Sequence, residues 1–188
     1  MRDVRVALDQ NRQSVPLLAA GDETALSIDE VIRSKICEGV RRVHMAAPVH
    51  MLETGHRFGQ MDIRNADGSG YVPLPDDFMR LVMFRRSDWS SAVYEAITAA
   101  DVEYQYQSSR FKGLRGTPQR PVCAIVQRPT GNVLEYYSSK DDKAEITAAV
   151  YVPYPRIDER GGVDISVPCY ESVVDEVAKL TAAVFGGN

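Results

Sequence analysis

The three histidines are the first candidates for metal binding or acid–base chemistry. His44, His50 and His56 follow one another at intervals of six residues. That spacing places no two of them on one helical face within the one or two turns that metal sites prefer, and Pro48 interrupts the stretch. The sequence therefore predicts no metal site among them.

The cysteines are equally weak candidates for a nucleophile or a metal ligand. Cys37, Cys123 and Cys169 lie in three different predicted elements without C-x-x-C spacing, so we expect three buried, reduced thiols. Cys123 lies in an apolar stretch typical of a strand, where burial raises the pKa of a thiol. The chain also has no G-x-S-x-G elbow. We expect no catalytic residue, no cofactor and no metal, and hence a protein that is not an enzyme.

A basic segment is the stronger candidate for an interaction site. The stretch SSRFKGLRGTPQR combines four positive charges with Phe111. As a flexible loop it could bind nucleic acid through phosphate contacts and stacking, connect two strands in solvent, or dock an acidic neighbouring subunit. In the last case, the acidic turns at Asp76 and Asp77 or at Asp141 and Asp142 could meet the basic loop of the next copy. The predicted interaction residues are Arg110, Lys112, Arg115, Arg120, Asp141, Asp142 and Phe185.

The charge balance limits the partners that the chain can have. Its 188 residues carry a formal net charge of -4. Neutralising phosphates requires clustered lysine and arginine, so the acidic balance argues against a protein whose main task is to bind nucleic acid through its phosphates. The charged start MRDVRVALDQN predicts neither a signal peptide nor a membrane span, and no membrane partner is expected.

The spacing of apolar residues predicts helices near both ends of the chain. A helix of two turns is predicted around residues 4–8, with a loop over residues 11–26. Ser27 and Glu30 form a capping box for a helix over residues 28–47, which Pro48 ends. Another helix follows Tyr170, and Gly186 marks its end. The stripes expected to pack together are Ile32, Ile36, Val40 and Val43 on the earlier helix and Val173, Val177, Leu180 and Val184 on the later one.

The middle of the chain has the pattern of strands. The turn NADGSG predicts a hairpin and lacks the lysine and hydroxyl of a phosphate-binding loop. Residues 78–86 are predicted as a strand after a single helical turn. Further strands are predicted at residues 121–127, 133–138 and 145–154. Consecutive strands joined by short turns favour an antiparallel sheet.

These elements predict an α+β fold. An antiparallel β-sheet insert, about residues 59–155, is expected between an N-terminal helical segment and a C-terminal helix that pack together. The helical part covers about residues 1–53 and 168–186, and the length favours a single domain over residues 1–188. From the residues alone, a small ligand-binding or regulatory module of a bacterial cell remains open, as does a small hydrolase of unknown substrate.

Four segments carry a resemblance to a known family. They are Ala47-Pro48, GYVPLPDDFMRLVMFRRSDW at residues 70–89, RPVCAI at residues 120–125, and LEYY at residues 134–137. In this order, and across nearly its full length, the chain resembles the head-tail adaptor proteins of tailed phages and prophages of gut bacteria, also called connector or head-completion proteins.

The resemblance implies a structural role in the neck of a virion. Many copies would form a ring beneath the portal, extend the DNA channel and bind the next component. The implied partners are the portal protein, other neck and tail proteins, and further copies of the same chain. DNA would pass without sequence-specific binding, which a negative channel favours. The implied locations are the virion and, during assembly, the bacterial cytoplasm.

Overall fold

The computed structural model describes residues 1–11, 28–52, 55–109, 111, 113–141, 143–158 and 162–185. Of the predicted loop at 11–26, only residue 11 is described, and it is the last residue of a helix. Ser27 and Gly186 also lie outside the described residues. The helices are α1 (Arg2–Asn11), α2 (Ile28–Ala46), α3 (Val102–Tyr106) and α4 (Tyr170–Phe185). The strands are β1 (His56–Arg57), β2 (Ile63–Arg64), β3 (Gly70–Pro73), β4 (Phe78–Arg86), β5 (Ile97–Thr98), β6 (Cys123–Arg128), β7 (Gly131–Tyr136) and β8 (Ile146–Pro153).

The contacts within the chain divide it into two compact units. The helical unit comprises Met1–Glu53 and Tyr154–Asn188, and the sheet unit comprises Thr54–Pro153. The predicted α+β fold, with a sheet insert between helical segments that pack together, is confirmed. Whether the chain behaves as a single domain remains a prediction.

In the helical unit, α4 packs against both α1 and α2. The two helices α2 and α4 lie close together at Gly39, where a Cβ atom would lie 2.5 Å from Cγ2 of Val177. The predicted pairing of these two helices is therefore confirmed, but Val184 is 50% exposed and does not belong to the core. The buried residues of α4 are Val173, Val177, Ala178 and Thr181.

The sheet unit contains two sheets instead of the one expected. One has the strand order β1-β8-β4 and the other the order β2-β3-β7-β6-β5. All pairs are antiparallel except β5 with β6, which are parallel. The parallel pair was not predicted because β5 has only two residues, too few for a periodic pattern. Both sheets contribute to one hydrophobic core, which includes Val72, Leu81, Trp89, Leu134 and Tyr151.

The predicted hairpin and the predicted long strand are both present. The NADGSG turn joins β2 to β3, and its Gly68 has φ +83°, a conformation that favours glycine. The strand β4 covers residues 78–86 as expected. The turn before it is closed by a hydrogen bond of 3.0 Å from the amide of Phe78 to the carbonyl of Pro75.

Arg86 places a positive charge inside the sheet unit, where it is fully buried. Its Nη1 donates to Oδ2 of Asp62 and its Nη2 to the carbonyl of Ala144, both at 2.8 Å. The guanidinium also lies 4.4 Å from the ring centroid of Tyr136, whose hydroxyl donates to Asp62 at 2.6 Å. These contacts compensate for the water that the charge has lost.

Candidate protein-interaction site

Two adjoining cavities of the sheet unit share the residues Asp67, Arg115 and Tyr137. Their volumes are about 350 and 660 Å³. We call the two together the Arg115 groove. The other lining residues are Ser69, Tyr104, Gln105, Gln107, Ser108, Gly116, Thr117, Pro118, Gln119, Ser138, Ser139 and Lys140.

One wall of the groove, residues 115–120, is anchored by hydrogen bonds. The amide of Gly116 donates to Oε1 of the buried Gln107 at 2.8 Å. Thr117 and Arg120 exchange two backbone hydrogen bonds, and the amide of Ser90 donates to the carbonyl of Pro118 at 2.9 Å. The sequence suggested a flexible loop, whereas this part of it is fixed in place. Arg110 and Lys112 lie outside the described residues.

The facing wall, residues 138–140, is attached to two other segments. The amide of Ser139 donates to the carbonyl of Gly68 at 2.9 Å. Oδ2 of Asp88 accepts from the Ser139 hydroxyl at 3.1 Å and from the Lys140 amide at 2.8 Å. Ser138 is 6% exposed, and its hydroxyl makes no hydrogen bond within the described part of the chain. A buried hydroxyl in this state favours the arrival of a polar partner.

A single carboxylate, Glu135, holds the two tyrosines that line the groove. Its Oε2 accepts from the hydroxyl of Tyr137 at 2.7 Å and from that of Tyr104 at 3.3 Å. Its Oε1 accepts from Nη2 of Arg128 at 2.7 Å. Burial, followed by the hydrogen bond and charge of Glu135, raises the pKa of Tyr137, so this phenol stays protonated and cannot act as a base at neutral pH.

Arg115 has weak partners of its own. Its Nη2 lies 4.0 Å from Oδ2 of Asp67, beyond hydrogen-bond distance. Asp67 already accepts from the hydroxyl and the amide of Ser69, at 2.6 and 2.9 Å, and these two bonds lower the pKa of Asp67. Among the residues that the structure describes, none makes a hydrogen bond to the Arg115 guanidinium. With Lys140 on the other wall, the groove can bind a carboxylate through charge-assisted hydrogen bonds.

The other predicted interaction residues are dispersed. Arg120 is exposed in the turn that follows Arg115. Asp141 is exposed directly after Lys140, with its Oδ1 accepting from the amide of Lys143 at 2.9 Å. Phe185 ends α4 in the helical unit, and Asp142 is not among the described residues. Thus Arg115 and Asp141 occur near one groove instead of on two separate faces of the sheet unit.

Sequence reasoning missed the second wall and most of an exposed apolar segment, of which it named only Phe111. Tyr137 belongs to the LEYY segment and Ser138 to a predicted strand, but nothing in the sequence indicated that either lines a groove. Four large apolar side chains between residues 102 and 114 are exposed, two on α3 and two in the loop after it. Their only signal in the sequence is an apolar type without a periodic pattern. They are Val102, Tyr106, Phe111 and Leu114.

In the described part of the chain, no group of three His, Cys, Asp or Glu residues is arranged to hold a metal ion. His44 is buried on α2, and burial lowers its pKa although Asp164 acts in the opposite direction. Burial raises the pKa of Cys123, as predicted, which keeps the thiol protonated and unreactive. The cysteines are free thiols, and Cys37 is only half-buried.

Comparison with known proteins gives the chain no family. No protein-family model matches it, and no curated protein sequence matches it. No helix among the described residues has both the length and the apolar character that a bilayer crossing needs.

Proposed function

We propose that this chain is a non-enzymatic structural protein of a phage or prophage virion neck. Copies of it form a ring beneath the portal and join the head to the tail around the DNA channel. The proposal begins with the order of the four sequence segments that resemble head-tail adaptors. In the fold, the longest of them forms β3, the turn after it and β4, and so connects the two sheets.

The observation that carries the proposal is a surface suited to another protein. The Arg115 groove is open and combines apolar lining surface with two positive side chains on its walls, Arg115 and Lys140. Gln105 and Ser108, which line it, lie within the segment that exposes Val102, Tyr106 and other apolar side chains. Protein interfaces combine apolar contacts with charged residues that fix register, whereas small-molecule sites are enclosed and mostly apolar.

The negative net charge supports the same proposal. A ring around a DNA channel must let the phosphates slide, and a chain of net charge -4 provides no general attraction for them. Localised positive groups such as Arg115 remain available for contacts between subunits.

The test is assembly with the portal protein encoded by the same phage genome. We expect the purified chain and the portal, mixed at micromolar concentration, to give a ring-sized complex by mass photometry and electron microscopy. A portal from an unrelated phage is the control and should leave the chain unbound. If the cognate portal and the chain remain separate species, the adaptor assignment is wrong.

A further inference from the structure

We infer that the Arg115 groove of one copy binds the Asp76 carboxylate of the next copy, so that the sheet unit contains both halves of a head-to-tail contact. The inference rests on the proposed ring and specifies one contact of that ring. Its occupant is a second copy of this chain, and the recognised group is a single aspartate on a fixed turn.

The groove supplies the donors for that carboxylate. Arg115 is 25% exposed, and the one ion pair it forms with the described residues is its distant contact with Asp67. The hydroxyl of Ser138 is buried without a hydrogen-bond partner in the described residues of the same groove. Lys140 adds a positive charge on that wall. A carboxylate has two oxygens, which can accept from the guanidinium and from a hydroxyl at the same time.

Asp76 supplies the acceptor. It is exposed and forms no hydrogen bond with the residues that the structure describes. The neighbouring Asp77 accepts a hydrogen bond of 2.8 Å from the hydroxyl of Tyr151, which ties the turn to β8. The hydrogen bond between Phe78 and Pro75 closes the turn itself. Asp76 is therefore presented on a rigid support, and little conformational freedom is lost when it binds.

The donor and the acceptor lie at opposite ends of one strand pair. Antiparallel pairing sets Gly70 opposite Tyr136 at one end of β3 and Pro73 opposite Val133 at the other. Asp67 and Tyr137 extend the first end into the groove, whereas Asp76 follows the second end. A contact between two different surfaces of the same chain is heterologous, and such contacts close into rings when the rotation permits.

The acidic rim argues against nucleic acid as the occupant. The carboxylate of Asp67 is 61% exposed beside Arg115 and would repel a run of phosphates. A lone aspartate brings one charge, which Arg115 and Lys140 together can balance. Asp141 is not the carboxylate that Arg115 of the next copy binds, because Asp141 directly follows Lys140, which lines the groove itself.

Charge reversal in the presence of the portal is the first test. Arg115→Glu and Asp76→Lys should each raise the concentration needed for half-maximal ring assembly by about tenfold or more. Combining the two should restore most of the assembly, because the charges are then exchanged. Arg85→Glu and Glu95→Lys, at exposed positions that do not line the groove, are the matched controls and should assemble like the unmodified chain. Normal assembly of both single variants, or no recovery in the double variant, would overturn the inference.

Disulfide trapping tests the same contact without the portal. A chain carrying Pro75→Cys and Gln119→Cys keeps the Asp76 carboxylate and should form a ladder of cross-linked multimers on oxidation, since Pro75 precedes Asp76 in the turn and Gln119 lines the groove. The control pair, Pro75→Cys with Glu145→Cys, should not. Portal assembly without a ladder and without a charge effect rejects this contact and leaves the adaptor assignment standing. A ladder without portal assembly rejects the adaptor assignment and keeps the contact.

Discussion

At the scale of single residues, the buried charge of Arg86 has the clearest energetic consequence. Moving an ion out of water is unfavourable by several kcal/mol, and only good geometry with satisfied hydrogen bonds offsets this. Arg86 obtains hydrogen bonds from Asp62 and from the carbonyl of Ala144 and lies over the face of Tyr136, whereas its Nε makes no hydrogen bond within the described residues and lies 3.8 Å from Oδ1 of Asp88. Since these partners come from different strands and loops, the charge links segments that are distant in sequence.

Replacing Arg86 should therefore destabilise the sheet unit strongly. For Arg86→Met we expect a loss of about 3 kcal/mol in the free energy of unfolding, because Asp62 keeps its charge near the core and loses a buried counter-charge. Arg85→Met, at the exposed neighbouring position, should change it by less than about 0.5 kcal/mol. Urea titration followed by Trp89 fluorescence measures both. Equal midpoints for the two variants would contradict this role of Arg86.

Asp62 makes the stability depend on acid pH. Its burial raises the pKa, but hydrogen bonds from Tyr136, Arg86 and Arg64 outweigh the burial and lower it. A folded-state pKa below the unfolded value, about 4 for aspartate, stabilises the fold above that pH, and the stabilisation is lost as the pH falls through the folded-state value. Asp62→Asn should thus be less stable than the unmodified chain at pH 6, by a margin that shrinks at pH 3. A margin of the same size at both values would refute this.

At the scale of elements, the contact between α2 and α4 depends on the absence of a side chain at Gly39. Alanine normally stabilises a helix interior relative to glycine by about 1 kcal/mol. At this position the added Cβ would lie 2.5 Å from Cγ2 of Val177 and 3.4 Å from its amide nitrogen. Valine is β-branched and has essentially one rotamer in a helix, so it cannot turn away. Overpacking therefore outweighs helix propensity.

We expect Gly39→Ala to destabilise the helical unit by about 1–3 kcal/mol. The double variant Gly39→Ala, Val177→Ala should be more stable than the sum of the two single changes predicts, because the shortened side chain makes room for the new methyl group. Circular dichroism at 222 nm during thermal unfolding provides the measurement. Additive effects would show that the two positions do not interact.

The positions of the helices and strands were largely predictable from the spacing of apolar residues. The residues that form the interface between α2 and α4 were only partly predictable. The predicted stripe on α4 is confirmed at Val173 and Val177, which are buried, but Leu180 is only half-buried, Val184 is exposed, and the last buried position is Thr181. Thr181 is fully buried because its hydroxyl donates to the carbonyl of Val177 at 2.8 Å, which satisfies the polar group within the helix. Such a bond cannot be read from residue type alone.

The groove was less predictable, since its residues are brought together by pairing over long distances in the sequence. Arg115 was predicted as an interaction residue because it lies in a basic segment. Tyr137 and Ser138 follow a strand whose register with β3 decides which side chains reach Asp67. Nothing in the sequence indicated that the residues before the acidic turn at Asp141 and the basic segment line one groove, which the anchoring of the Ser139 backbone to Gly68 brings about.

At the scale of the whole molecule, the division into two units separates a continuous segment from a discontinuous one. The sheet unit is the single stretch Thr54–Pro153, whereas the helical unit is assembled from both ends of the chain. The hydrophobic cluster of the sheet unit takes its buried residues from between Phe58 and Tyr151. It includes Trp89, the only tryptophan of the chain, which is 2% exposed. Tryptophan fluorescence therefore reports on the sheet unit alone.

We expect a fragment of residues 54–153 to fold without the helical unit. Its core is complete within the segment, and a chain of this length can bury enough apolar surface to be stable. The fragment should show the emission of a buried Trp89 and a single cooperative transition in urea. Phe84→Ala, which removes a buried ring stacked on Phe58, is the control and should lower the midpoint sharply.

Unfolding of the whole chain in urea, followed by Trp89 fluorescence, tests whether the chain is a single domain. Trp89 fluorescence follows the sheet unit, and circular dichroism at 222 nm is dominated by the long helices of the helical unit. If the chain is one cooperative domain, the two signals give the same midpoint in urea. Separate midpoints, with the fluorescence transition matching that of the fragment, would mean that the sheet unit is an independent domain inserted between the two helical segments. An unfolded fragment would instead show that the sheet core requires the helices, and the single-domain expectation would hold.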